Sequence, residues 1–95
     1  MIKTKVRFAS YLQEITGAWE EAWQISDGSN IYELIDKLIA CYGKKLEDAI
    51  YGEDGEQRPG LRILLNGRDI RFLDDEKLVL SNGDIVLILP VLAGG

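Results

Sequence analysis

Histidine is absent from the 95 residues, and cysteine occurs once, at Cys41. Disulfide frameworks need paired cysteines, and zinc and haem sites depend mainly on cysteine and histidine ligands. We therefore predict no disulfide and no bound metal. The longest apolar run, Ile85 to Ala93, is far shorter than the ~20 residues of a membrane-spanning helix. The first residues, MIKTKVRF, lack the apolar core of a signal peptide, so a cytoplasmic protein is expected.

Positive charge is also scarce. The 11 lysine and arginine residues face 16 aspartate and glutamate residues, which gives a net charge of −5. This is the wrong sign for a surface that neutralises phosphates, so neither nucleic acid nor an anionic membrane is expected as a partner. Hydrophobic residues make up 46% of the chain, which suits one small domain with its own core.

Two strands are predicted near the N-terminus. Residues Ile2–Phe8 alternate between apolar and charged side chains, which is the period of a half-buried strand. Residues 19–25 show a similar pattern, and Trp19 and Trp23 are expected to pack on the same face. The turn residues Asp27-Gly28 end this second strand.

A short helix is predicted between these strands. Ser10 and Gln13 have the spacing of a capping box, and Gly17 provides a C-terminal stop, so residues 11–16 are expected to form one or two helical turns.

The clearest element is a helix that starts after Asn30. Asn30 and Glu33 form a second capping-box pattern, and Gly43 is a typical C-terminal cap. Cys41 is expected to be a buried, inert thiol beside the apolar stripe. That stripe has helical spacing and consists of Ile31, Leu34, Ile35, Leu38, Ile39 and Tyr42.

The C-terminal half returns to strand patterns after a helical turn near Leu46 and a loop at residues 51–60. A hairpin is predicted from Leu61–Leu65, the turn Asn66-Gly67 and a brief strand at residues 69–72. The last strand, residues 85–89, is apolar at every position, which is typical of a central strand.

One strong helix can cover only one face of the resulting sheet. Part of the other face should therefore be open and partly hydrophobic, which usually marks a partner surface. Of the two alternating sets on the last strand, the set expected to face the helix is Ile85, Leu87 and Leu89; the other is Val86 and Ile88.

This order of elements predicts an α+β fold of the β-grasp, or ubiquitin-like, type. A mixed sheet of about five strands would be crossed by one main helix, with the first and last strands parallel at the centre. Residues 1–90 would form the domain, and residues 91–95 a flexible C-terminal tail that ends in Gly-Gly.

Four stretches of the sequence resemble the small subunit of molybdopterin synthase, the MoaD branch of the MoaD and ThiS sulfur-carrier family. The similarity runs over nearly the whole chain, and the second of these stretches is the most specific. The tail reads PVLAGG where the family often has PPVAGG, and the diglycine is unchanged. The four stretches are VRFASYLQEITG, EDGEQRPGLRILLNGRDIRFL, LSNGDIVLILP and AGG.

The resemblance implies a carrier that is not an enzyme on its own and binds no cofactor. Its C-terminal carboxylate, on Gly95, would be adenylated with ATP by an E1-like enzyme of the MoeB or ThiF type and converted to a thiocarboxylate. The large synthase subunit, of the MoaE type, would then receive the sulfur. The tail residues that enter these active sites would be Val91, Leu92, Ala93 and Gly94.

Three further residues are candidates for partner binding. Phe72 looks like a residue that the family uses at its partner interface, although a strand aromatic can equally belong to the core. Arg68 and Arg71 could attract an acidic partner, or they could simply be solvated.

Three functions remain open at this point. The protein could donate sulfur in molybdenum or tungsten cofactor biosynthesis, or it could be a ubiquitin-like modifier of the archaeal type that is conjugated to lysines through Gly95. It could also be an adaptor domain whose terminal glycines carry no chemistry. The thiamin branch of the family is disfavoured because its members typically lack the segment RPG…NGRDIRFL.

Overall fold

The computed structural model describes residues 1–90, so the predicted tail at 91–95 lies outside the described residues. The described chain forms five strands, three α-helices and two short 3-10 helices. The elements are β1 (Ile2–Phe8), α1 (Leu12–Thr16), β2 (Glu20–Ile25), α2 (Ile31–Tyr42), α3 (Lys44–Ile50), β3 (Leu61–Leu65), β4 (Arg68–Asp69), a 3-10 turn (Ile70–Phe72), a second 3-10 turn (Asp75–Leu78) and β5 (Ile85–Pro90).

The five strands form one mixed sheet in the order β2-β1-β5-β3-β4. Strands β1 and β5 are parallel, and the other neighbouring pairs are antiparallel. The first and last strands therefore lie side by side at the centre, with β5 between β1 and β3. This arrangement confirms the β-grasp topology predicted from the sequence.

One core cluster joins the sheet to the helices. Val6 and Phe8 of β1 and Ile63 of β3 contribute from the sheet, and Leu34 and Leu38 contribute from α2; each is at most 1% exposed. The alternation in β1 thus puts its apolar set in the core, as expected. Burial of this continuous apolar surface is the main source of stability for a domain of this size.

The prediction for the last strand was wrong. Val86 and Ile88 are fully buried, whereas Leu87 is only half-buried. The cause is the register with β1, which pairs Val86 with Val6 and Ile88 with Phe8. Residues in register project to the same face of a sheet, so the core residues of β1 determine which set of β5 joins them.

Helix α2 begins and ends where the sequence predicted. The Glu33 amide donates to the Asn30 side chain over 3.0 Å, and the Asn30 amide donates to the Glu33 carboxylate over 3.3 Å, which completes the capping box. Gly43 ends the helix with a φ of 80°, and its amide donates to the Ile39 carbonyl. Cys41, however, is exposed. The apolar stripe continues from Leu38 to a residue four positions later, so position 41 falls on the flank of the helix.

Tyr42, the last residue of the predicted apolar stripe, packs against the core cluster and is partly buried. Its ring packs edge-on against Phe8 with the centroids 5.9 Å apart. Its hydroxyl donates to the Glu21 carboxylate, which also accepts a bond from the Trp23 indole at 3.2 Å. Burial, together with this contact, raises the pKa of Tyr42. The last turn of α2 is thus tied to β2.

Two other local predictions were wrong in part. Ser10 does not cap α1, because its φ of 58° is left-handed, whereas an N-cap residue is normally extended; the C-terminal stop at Gly17 is confirmed. Trp19 precedes β2 and is 49% exposed, so only Trp23 packs against the core.

The predicted hairpin is present, but its second strand is short. Asn66 and Gly67 form the two-residue turn with φ values of 51° and 85°, as expected for this dipeptide. Strand β4 stops at Asp69, whose carboxylate accepts a bond from the Arg71 amide and caps the following 3-10 turn. Phe72 therefore lies in that turn and not in a strand.

Candidate functional site

The face of the sheet opposite the core presents a patch of half-buried apolar side chains bordered by basic ones. We call this surface the open face. Its apolar members are half-buried, and its basic members are half-buried or exposed. The open face comprises Lys3, Lys5, Arg7, Arg62, Leu64, Ile85, Leu87 and Leu89.

A row of side chains in register crosses all five strands on this face. It runs from β2 to β4 through Glu20, Arg7, Leu87, Leu64 and Asp69. Two leucines occupy the centre, and charged residues occupy the two ends. Because neighbouring side chains in such a row are only about 5 Å apart, the leucines form a continuous apolar surface.

Both carboxylates at the ends of the row are engaged by arginines. The Arg7 Nε lies 2.9 Å from Glu20 Oε1, and the Arg71 guanidinium approaches Asp69 with its Nε at 3.2 Å and its Nη2 at 3.0 Å. These hydrogen bonds lower the pKa of each carboxyl group, with smaller contributions from Lys5 at Glu20 and from Arg62 at Asp69. Both acids are therefore charged at neutral pH.

The remaining cations give the open face a positive charge. Within residues 1–90, Lys3, Lys5 and Arg62 take part in no ion pair. All three are exposed. A chain with a net charge of −5 thus concentrates unpaired positive charge around its apolar patch, while its carboxylates lie mostly elsewhere.

The predicted partner-binding residues lie at different places around edge strand β4. Phe72 is 84% exposed, beyond the Asp69 end of the row. Arg71 is engaged with Asp69. Arg68 is in register with the buried Leu65 and therefore projects to the side of the sheet that faces the helices.

The predicted tail residues lie outside the described residues. They are Val91, Leu92, Ala93, Gly94 and Gly95. The described chain reaches Pro90, which pairs with Leu61 at the end of β5.

The sequence predicted that one face of the sheet would be open and partly hydrophobic. It assigned the β5 residues of this face, Ile85, Leu87 and Leu89, to the opposite side. Neither Leu64 nor the basic residues Lys5 and Arg62 were singled out from the sequence. The signal that could have found Lys5 is the alternation of β1, which sends its basic set away from the core. The same alternation within Leu61–Leu65 sends Arg62 and Leu64 to the open face.

Membrane-spanning helices and clusters of metal-ligating side chains are absent from the described part of the chain. No helix among residues 1–90 is long and apolar enough to cross a membrane. No group of three or more acidic or cysteine side chains in that range could hold a metal ion. The acidic run Asp74 to Glu76 is exposed to solvent.

Comparison with known proteins places this architecture in a family. Small archaeal modifier protein 3 from Haloferax volcanii is 31% identical over 97 residues, which cover 99% of this chain and 100% of the relative. Ubiquitin-related modifier 1 from Eremothecium gossypii is 29% identical over 100 residues, which cover both chains fully. Both relatives therefore match this protein over the whole domain.

A solved structure supports the same fold. The putative molybdopterin converting factor, subunit 1, from Pyrococcus furiosus superposes with a TM-score of 0.74 over 97% of this chain and 100% of its own. Its sequence identity of 23% makes this a likeness of fold alone. The model of the ThiS family matches residues 6–95. The predicted resemblance to ubiquitin-like sulfur carriers is thereby confirmed, and this protein belongs to the ThiS family.

Proposed function

We propose that the protein carries sulfur as a thiocarboxylate on Gly95. The observation that carries this proposal is the family match, which continues to residue 95 and so includes both terminal glycines. An E1-like enzyme would join the Gly95 carboxylate to the AMP moiety of ATP with release of pyrophosphate, and a sulfur nucleophile would then displace AMP. Glycine suits this position because the absence of Cβ leaves the carboxyl carbon open to attack.

The position of β5 supports a single docking surface for such an enzyme. Residues 91–95 can reach at most about 18 Å beyond Pro90, even when fully extended. An active site that receives Gly95 must therefore lie close to the end of the central strand β5. The open face runs along this strand, and its half-buried Leu87 and Leu89 offer the enzyme an apolar contact.

The first candidate destination for the sulfur is molybdopterin synthase. In this role the protein is the small subunit, Gly95 enters the active site of a large subunit of the MoaE type, and the sulfur becomes part of the molybdenum or tungsten cofactor. The segment EDGEQRPGLRILLNGRDIRFL supports this role through its resemblance to the MoaD branch.

The second candidate destination is a lysine on another protein. Two relatives that match this chain over its whole length are named as modifiers, and this observation favours conjugation. The activated carboxyl of Gly95 would form an isopeptide bond with the lysine amine. Both candidates share adenylation as their first step.

Intact mass spectrometry tests that shared step and the carrier chemistry. The protein is isolated from its source and incubated with the cognate E1-like enzyme, ATP and a sulfur donor. The C-terminal peptide that ends in Gly95 should gain about 16 Da as sulfur replaces an oxygen on its unhindered carboxyl group. Protein that lacks Gly95 is the control and should gain nothing. An unchanged mass in the presence of active enzyme would contradict the proposal.

The fate of the activated Gly95 carboxyl group distinguishes the two candidate destinations. Transfer of sulfur to the pterin precursor after addition of a MoaE-type subunit, with Gly95 returned to its carboxylate, supports the synthase role. Lysine adducts through Gly95, seen on a denaturing gel and by peptide mass, support the modifier role. If removal of Gly95 alters neither outcome nor any cellular function, the adaptor alternative is favoured.

A further inference from the structure

We propose that the open face binds an acidic protein surface, one whose apolar centre is bordered by carboxylates. The inference rests on the proposed function, because the partner in question is the enzyme that activates Gly95. It goes further by specifying the chemistry of the partner's docking surface.

The first observation is that three of the basic residues on the open face lie directly beside apolar residues of β5. Register pairs Lys5 with Ile85 and Arg7 with Leu87 along the parallel strands. On the other side of β5, Arg62 is paired with Leu89. A partner that covers the apolar patch must therefore also meet these cations.

The second observation is that the carboxylates of this face are already engaged. Glu20 is bonded to Arg7 and Asp69 to Arg71, so neither is available to attract a basic partner. Lys5 and Arg62 enter no ion pair within residues 1–90. Under an apolar or basic surface both cations would lose water without gaining a carboxylate in direct contact, which costs free energy. Carboxylates on the partner would remove this cost and form charge-assisted hydrogen bonds.

The third observation distinguishes a protein from a nucleic acid. A phosphate backbone has no apolar surface to cover Leu64 and Leu87. The helical side of the molecule carries four exposed carboxylates and three exposed lysines on α2 and α3. A long polyanion that wrapped around the domain would find no net positive charge there, whereas a protein that contacts only the open face would not need it.

Charge reversal tests the inference through the kinetics of docking. The double variant Lys5→Glu/Arg62→Glu is compared with Lys37→Glu/Lys77→Glu, which changes the net charge equally at exposed positions outside the open face. Association with the activating enzyme is followed by stopped-flow fluorescence from low to high salt. We expect the first variant to associate about tenfold more slowly at low salt, because oppositely charged surfaces steer encounters. The difference should shrink near 1 M salt, where the screening length is about 3 Å.

Several outcomes would overturn the inference. Equal slowing in both variants would mean that only net charge matters, and faster association of the open-face variant would indicate a basic partner surface. Displacement of the enzyme by a random-sequence oligonucleotide, lost in the open-face variant, would indicate a nucleic-acid site. Should the glutamate variant fail to fold by circular dichroism, Lys5→Gln/Arg62→Gln is used with Lys37→Gln/Lys77→Gln as its control.

Failure of this inference is distinguishable from failure of the proposed function. If the wild-type protein is adenylated at Gly95 and the two variants behave alike, the docking inference fails while the function stands. If the wild-type protein binds the enzyme in a manner that depends on Lys5 and Arg62, yet Gly95 is never adenylated, the proposed function fails while the charge of the docking surface is established.

Discussion

Leu64 and Leu87 lie opposite each other on the antiparallel strands β3 and β5, and both remain half-buried on the open face. Their chain neighbours Ile63 and Ile88 also lie opposite each other, but they are 1% and 0% exposed. One strand pair thus supports the core on one side and presents an apolar surface on the other. If the open face binds the activating enzyme as proposed, we expect stability and docking to respond separately to substitutions one residue apart.

Replacing Ile88 with alanine should lower the free energy of unfolding by about 2–5 kcal/mol, because it leaves a cavity in the core. Leu87→Ala is the matched control and should cost about 1 kcal/mol, since its side chain buries less surface. Urea unfolding measures both. The rate at which the activating enzyme adenylates Gly95 should respond in the opposite way. Leu87→Ala should lower this rate, whereas folded Ile88→Ala should leave it unchanged. Equal destabilisation by the two variants would contradict this division of the strand.

Phe72 should matter for binding and not for folding. Its side chain is 84% exposed, so Phe72→Ala should change the free energy of unfolding by less than about 0.5 kcal/mol. If it anchors a partner, its loss should weaken affinity for the activating enzyme about tenfold or more. Tyr32→Ala, at a 45% exposed position on α2, is the control. Unchanged affinity on titration calorimetry would remove Phe72 from the interface.

Loss of the capping box at the start of α2 should lower the free energy of unfolding and leave docking to the activating enzyme unchanged. Asn30→Ala removes the acceptor for the Glu33 amide and should lower the free energy of unfolding by about 1 kcal/mol. Asn30→Asp keeps an acceptor at the helix N-terminus and should cost less. Chemical denaturation compares the two variants, and an equal loss in both would show that the side-chain bond is not what stabilises this end.

The ion pair between Asp69 and Arg71 should make stability depend on pH in the acid range. The hydrogen bond from Arg71 lowers the folded-state pKa of Asp69 below its ordinary value of 3.8. A carboxyl group shifted in this direction stabilises the folded protein above its unfolded pKa, and that contribution is lost as the pH falls through the folded pKa. Asp69→Asn should therefore be less stable than the wild type at pH 7, and the difference should shrink below about pH 4.

Thermal unfolding at pH 3 and pH 7 checks this dependence on pH. Asp74→Asn removes a nearby exposed carboxylate that enters no ion pair within residues 1–90. It should follow the wild type at both pH values. A difference between Asp69→Asn and the wild type that is as large at pH 3 as at pH 7 would mean that packing, and not ionisation, explains the effect.

Local signals in the sequence were enough to predict most elements of the fold. The alternation in Ile2–Phe8 identified both the strand and its buried side. Asn30, Glu33 and Gly43 marked the ends of α2, and Asn66-Gly67 marked the hairpin turn. Each of these signals acts through contacts within a few residues of the chain, and for that reason it can be read without knowledge of the tertiary structure.

The sequence by itself determined the order of the elements, the β-grasp topology and the resemblance to sulfur carriers. Only the tertiary structure decided which residues of β5 face solvent, because a strand that is apolar at every position has no period from which its buried side can be read. The register of β5 with Val6 and Phe8 of β1 places Val86 and Ile88 in the core. The same pairing set Leu87 between Arg7 and Leu64, because contacts between strands distant in sequence depend on register and not on local propensity.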